Sequence, residues 1–159
     1  DCLLLLRLLT AVQVSDTRND ATCTTARTQI CVTLQAKFTQ MLAIGLIKEG
    51  KTPSDNRVAL TPLQCKWLLK NIQGCSIKVQ HSADRCFTDA EYKKAGITLT
   101  DDLGDCDILL GIKEVPVQML IENKTYLFFS HTKKKQPYNQ KLMHALIDKG
   151  ITLIDYECL

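Results

Sequence analysis

From Leu42 onward, short apolar runs alternate with segments that open on a helix cap and close on a glycine. Residues 42–47, 76–80, 107–113, 125–130 and 151–155 are of strand length, too short for independent helices, and suit a pleated, buried surface. Between the first two, Thr61-Pro62-Leu63-Gln64 forms a capping box with proline at the first helical position. Leu63, Trp67, Leu68 and Ile72 then mark one apolar helical face, and Gly74 closes the helix. Thr88-Asp89-Ala90-Glu91 is a second capping box, opening a short helix that ends at Gly96, with Ile97-Thr98-Leu99 as a brief strand behind it. Residues 116–122 read as a short helix. Pro137 opens a last one, carrying Tyr138, Leu142, Ala145 and Leu146 on one face and ending at Gly150. Parallel neighbours need a crossover between them, so strands alternating with helices over short links imply a mostly parallel sheet with helices on both faces. Right-handed crossovers make this an α/β layer of Rossmann-like or flavodoxin-like type.

The chain of 159 residues is long enough for one domain with a hydrophobic core and short for two. A net charge of +3, with bases and acids interleaved, points to neither nucleic acid nor an anionic membrane as partner. The triplet Lys133-Lys134-Lys135 reads as a solvated loop edge. Eight cysteines stand without a C-x-x-C pair and without histidines at metal spacing, which favours reduced thiols acting as small hydrophobes and predicts no metal site. With no run of eighteen apolar residues, no membrane span is expected. The apolar stretch from Cys2 to Leu9 is broken by Arg7 and has no basic region before it, so the location reads as intracellular.

Residues 1–40 are rich in threonine and lack a sustained period, whereas Met41 stands directly before the first clean strand. They read as a leader outside the fold, with 41–159 as the domain. Arg7, Arg18 and Arg27 among many hydroxyls suggest a mitochondrial transit peptide as the alternative to a cytoplasmic protein, while Asp1, Asp16 and Asp20 argue against it.

The chemistry concentrates at two strand ends. Gly111-Ile112-Lys113-Glu114 and Ser130-His131-Thr132-Lys133-Lys134 each follow an apolar strand, and open α/β sheets place their ligand sites at the carboxyl ends of strands. A lysine and a histidine presented there can share proton transfer at a carbon–nitrogen centre. No G-x-G-x-x-G or related glycine turn follows any strand, so the chain should not bind NAD on its own. It stops directly after a strand at Glu157-Cys158-Leu159, which reads as a truncated domain.

Six segments in order carry a resemblance: Ile47-Lys48-Glu49, 56–62 (Asn-Arg-Val-Ala-Leu-Thr-Pro), 91–96 (Glu-Tyr-Lys-Lys-Ala-Gly), Gly111-Ile112-Lys113-Glu114, Ser130-His131-Thr132 and Ile154-Asp155-Tyr156-Glu157. On these, residues 42–159 resemble the N-terminal domain of the alanine dehydrogenase and transhydrogenase superfamily, closest to its lysine-forming saccharopine dehydrogenases and lysine–2-oxoglutarate reductases. The resemblance implies a substrate domain that closes on a following, C-terminal domain binding NAD or NADP. It implies oxidation of saccharopine to an imine and hydrolysis to lysine and 2-oxoglutarate, or the reverse. Lys113 looks like the group that takes the substrate amine proton and His131 like the acid–base group of imine hydrolysis. Arg57, Lys134, Glu114 and Glu157 look like the polar lining. Lys133 stands where relatives tend to be apolar or aromatic, and spacing from His131 favours Lys134 as the residue at the substrate. Ser130-His131-Thr132 followed by Lys134, and the residue between Glu114 and Pro116, favour the lysine branch over alanine dehydrogenase. An alanine dehydrogenase-like fragment and a non-enzymatic dicarboxylate-binding or regulatory module remain the alternatives.

Overall fold

The described residues hold six strands: β1 Leu42–Leu46, β2 Cys75–Gln80, β3 Thr98–Thr100, β4 Ile108–Leu110, β5 Thr125–Phe128 and β6 Thr152–Asp155. The structure, a computed structural model, describes residues 41–53 and 55–159, and the expectation of a leader over 1–40 lies outside the described residues. Every pairing is parallel, and the sheet order is β3-β2-β1-β4-β5-β6. The chain walks outward from β1 to β3, returns to the other side of β1, and walks outward again to β6. This is the Rossmann-like order rather than the flavodoxin-like one. Right-handed crossovers on two opposed walks put their connections on opposite faces of the sheet. The walk reverses between β1 and β4, so the connections leaving their carboxyl ends turn to opposite faces and open a crevice beyond the strands.

The α-helices among the described residues are α1 Pro62–Asn71, α2 Asp89–Lys94 and α3 Gln140–Asp148. Both predicted capping boxes are present. Thr61 and Gln64 exchange hydrogen bonds at the start of α1, as Thr88 and Glu91 do at the start of α2, each satisfying two amides that a helix start leaves without partners. Gly74, Gly96 and Gly150 all take positive φ just beyond the helices they were expected to close.

The buried face of α1 differs from the expected one. Pro62, Cys65 and Leu68 point inward, while Leu63 and Trp67 are exposed. Positions 62, 65 and 68 form their own line at a three-residue step, and the small Cys65 on that line lets the helix sit close to the sheet. Side-chain size therefore marked Leu68 rightly and Leu63 and Trp67 wrongly. Tyr138 is likewise exposed, because Pro137–Asn139 is a 3-10 turn and α3 begins only at Gln140; Leu142 and Leu146 are the buried residues of that helix. Residues 116–122 contain only the 3-10 turn Val117–Met119.

One core cluster packs Leu103, Cys106, Leu109, Val115, Leu120, Tyr126 and Phe128 with Leu142 and Leu146 of α3. Cys106 is fully buried there, and burial pushes its thiol up to about 11. Cys75, Cys86, Cys106 and Cys158 are free thiols.

Candidate active site

The strand expected over 107–113 ends at Leu110, and the reason places the first half of the site. Past that point the Ile112 and Lys113 amides leave the ladder and donate to the two carboxylate oxygens of Glu49, at 2.7 and 3.0 Å. Glu49 lies three residues beyond β1, so its carboxylate spans the crevice where β1 and β4 part. Partial burial raises Glu49 above the ordinary carboxylate range, against the pull of the two amides that stabilise its charge. Gly111 makes the crossing possible: a Cβ there would lie 2.8 Å from Ile47 Cδ1.

The loop between β1 and α1 brings Arg57 to the same edge. Its guanidinium grips Asp55 through Nε and Nη2, with Nη2 2.6 Å from Oδ2, and the hydrogen-bonded guanidinium holds the Asp55 carboxyl down at about 2. Lys113 adds to that lowering and Arg57 acts on Glu49, so Glu49, Asp55, Arg57 and Lys113 share one electrostatic neighbourhood. Glu114 takes a hydrogen bond from Lys51 Nζ at 2.6 Å. Burial alone would raise Glu114, but the Lys51 ammonium, the Glu114 backbone amide and His131 together outweigh it and the carboxyl sits below its ordinary value.

The second half is built on β5 and β6. β5 ends at Phe128 rather than Ser130, and the Phe129 amide donates to the Ile112 carbonyl, which ties the two strand ends together. His131 follows in a left-handed conformation with φ 55° and leads into the 3-10 turn Thr132–Lys134. Its Nδ1 stands 2.7 Å from Glu157 Oε1, a carboxylate oxygen that only accepts, and Lys134 Nζ reaches the same oxygen at 3.0 Å. Lys134 and then His131 hold the Glu157 carboxyl below its ordinary value. The His131 ring stacks near Phe129 and acts electrostatically on Glu114.

All six residues singled out in the sequence thus stand along one edge of the sheet. His131, Glu157 and Lys134 are in direct contact; Glu114 is within electrostatic reach of His131; Arg57 and Lys113 gather around Asp55 and Glu49. Among the described residues no hydrogen bond or ion pair joins Lys113 to His131 directly. A concavity beside them is lined by Glu49, Asp55, Arg57, Arg85 and Tyr92 and lies on the β1–β2 side of Lys113. Sequence reasoning gave no role to Glu49, Lys51, Asp55 or Asp155. Asp55 had a local signal, an acid two positions from a base. Glu49 and Lys51 had none, since each meets its partner 63 residues away.

Comparison with known proteins shows what the chain is similar to. The family model for the alanine dehydrogenase/PNT N-terminal domain matches residues 45–159. The alpha-aminoadipic semialdehyde synthase of Arabidopsis thaliana is 39% identical over 120 residues, covering 73% of this chain and 11% of that protein. A saccharopine dehydrogenase (NAD(+), L-lysine-forming) of Emericella nidulans is 31% identical over 113 residues, covering 67% of this chain and 30% of that protein. The chain thus spans about a tenth of the first relative and under a third of the second. Among solved structures, an L-alanine dehydrogenase superposes with a TM-score of 0.61 at 22% identity, over 73% of this chain and 32% of that one, a likeness of fold.

Proposed function

Because the chain belongs to the alanine dehydrogenase/PNT N-terminal domain family, we propose that it is the substrate half of an NAD(P)-dependent oxidoreductase of lysine metabolism. The reaction is the oxidative cleavage of saccharopine to lysine and 2-oxoglutarate, or its reverse. The observation that carries the reading is the pair of adjacent parallel strands β4 and β5, which deliver Lys113 and His131 to one edge, each beside a carboxylate. An acid–base step at an amine and another at the derived imine need two such groups within reach of one carbon–nitrogen bond.

The described residues do not fit a dinucleotide. None of the described strands ends in a glycine turn leading directly into a helix, and the loop from β1 to α1 runs through Glu49, Asp55 and Arg57 instead. The nicotinamide, NAD or NADP, belongs in this reading to a C-terminal domain beyond this segment, and it supplies only the two-electron acceptor. What this chain contributes is binding and proton transfer. Arg57 and Lys134 receive substrate carboxylates, the first as a guanidinium fork and the second as a point charge. Lys113 takes the proton of the secondary amine. His131, free at Nε2 while Nδ1 donates to Glu157, takes a proton from the water that adds to the imine carbon and returns it to the departing amine. Glu114 and Glu157 set the local charge around both groups.

Steady-state kinetics of the full-length enzyme test this. Lys113→Met should lower turnover by roughly two to four orders of magnitude, as expected for loss of an acid–base group, and His131→Asn should impair imine hydrolysis or formation. Full activity in Lys113→Met would refute the assignment. Preference for alanine over saccharopine would move the protein to the sister branch.

A further inference from the structure

Three polar residues are buried among those described, Ser130, Asn139 and Asp155, and all three converge on His131. Burying polar side chains is costly unless each is fully hydrogen-bonded, so a core that keeps these three is holding something in place. Asp155 ends β6. One of its carboxylate oxygens accepts from the Ser130 hydroxyl, and the other from the Glu157 amide at 2.9 Å and the Ser130 amide at 3.4 Å. Asp155 therefore grips the residue just before His131 and, with the same carboxylate, the backbone of the residue whose side chain takes the His131 Nδ1 proton. Ser130 Oγ in turn accepts the Thr132 amide at 3.1 Å, which spans His131 from the other side. Asn139 Nδ2 donates to the His131 carbonyl at 3.0 Å from the turn ahead of α3. Buried and partly buried bonds thus reach the backbone before, at and after a residue held in a left-handed conformation that non-glycine side chains disfavour.

We infer that Asp155, with Ser130 and Asn139, is a positioning device that fixes His131 and Glu157 as one unit and so selects the ring tautomer with the proton on Nδ1. Resting on the acid–base role given to His131 above, this adds the residues through which that role is set. Glu157 can only accept, so while its carboxylate stays in line with the ring, Nδ1 keeps the hydrogen and Nε2 keeps the lone pair. Asp155→Asn retains size but puts an NH2 group where one oxygen accepted: facing the two amides it opposes them, and facing Ser130 it replaces a charge-assisted bond by a weaker neutral one and turns the hydroxyl toward Thr132 Oγ1. The unit then loosens without a void.

The experiment has two arms. On the purified 159-residue chain, long-range proton–nitrogen NMR of the imidazole reads the tautomer directly. The expected result is Nδ1–H for His131 in the unsubstituted chain and a mixture containing Nε2–H in Asp155→Asn. Asn139→Ala and Ser130→Ala serve as second variants, and circular dichroism checks that each is folded. Should Asp155→Asn fail to fold, these two decide. In the full-length enzyme the same variants should lose roughly tenfold or more in kcat, short of the roughly 10²–10⁴-fold cost of removing an acid–base group, with KM little moved. Nε2–H in the unsubstituted chain, or an unaltered His131 spectrum in the folded variants, would overturn the proposal. If the spectra change as expected but His131→Asn leaves the enzyme fully active, the positioning stands and the catalytic reading of His131 falls.

Discussion

Tyr92→Phe removes a single oxygen from the middle of the fold and should cost stability out of proportion to its size. Tyr92 lies fully buried in α2, and its hydroxyl donates to the Leu60 carbonyl at 2.6 Å. Leu60 is itself buried at the end of the segment that carries Arg57, so this bond pins the site loop to the second helix from inside. Burial keeps the phenol neutral far above physiological pH, so the hydroxyl is a donor throughout the working range. The ring also packs under Arg85, whose guanidinium carbon lies 4.5 Å from the ring centroid, and phenylalanine preserves that contact. The substitution therefore isolates the hydrogen bond. Deleting a buried donor while its acceptor stays in place costs roughly 1–3 kcal/mol. With an unfolding entropy near 2.1 cal/mol/K per residue over the roughly 120 described residues, that becomes a fall in Tm of about 4–12 °C. Thermal melts by circular dichroism measure it, with Tyr138→Phe as the control, since Tyr138 is exposed and should shift Tm hardly at all. Equal melting temperatures for both variants would show that the Tyr92 hydroxyl does not anchor the loop.

Gly111→Ala tests how closely β1 and β4 approach at the crevice: the new Cβ would lie 2.8 Å from Ile47 Cδ1 and 3.0 Å from Cγ1. Overpacking of this kind costs about 1–3 kcal/mol. The variant should melt lower and shift the Ile112 and Lys113 amide resonances, and an unchanged melt and spectrum would deny the close approach. The Asp55 carboxyl should titrate at about 2 by carbon NMR in the wild type and return toward its ordinary value near 3.8 in Arg57→Met. Because the folded value lies below the unfolded one, the stability this pair contributes is fully present above about 3.8 and is lost as pH falls through about 2. A wild-type midpoint near 3.8 would show that Arg57 does not hold Asp55.

The order of elements was legible because it is written in local chemistry. Two capping boxes and three glycines at positive φ punctuate the chain where helices begin and end, and each acts over a few residues. Which side of α1 faces inward was not legible, because Leu63 and Trp67 outweigh Cys65 on any scale of side-chain size while the packing favours the small residue. The edge that carries Lys113 and His131 followed from parallel strands, since residues after two such strands leave the sheet in the same direction. The shortening of β4 to Leu110 did not follow, because its cause, Glu49, lies 63 residues before Ile112 in sequence. Asp155 was hidden for a related reason. An acid at a strand end reads as a solvated residue, and only the fold sets it beneath Ser130 and Glu157.

The same remote pairings bear on how a substrate would enter. Each cation assigned to it is already engaged by a carboxylate of the chain: Arg57 by Asp55 and Lys134 by Glu157, with Lys51 against Glu114 beside them. A ligand carboxylate therefore does not meet a bare positive charge; it displaces or joins an existing partner, and the net gain is the difference between two pairings in a partly wet setting. A ligand that carries carboxylates and an ammonium together loses less in that exchange, because its cation can take up the carboxylates its anions displace. Saccharopine has that composition, whereas 2-oxoglutarate alone does not. Under the proposed function, an edge that alternates its own charges would hold amino acids of mixed charge more firmly than a simple anion alone, and Asp55, Glu114 and Glu157 would contribute to that preference along with the cations they hold.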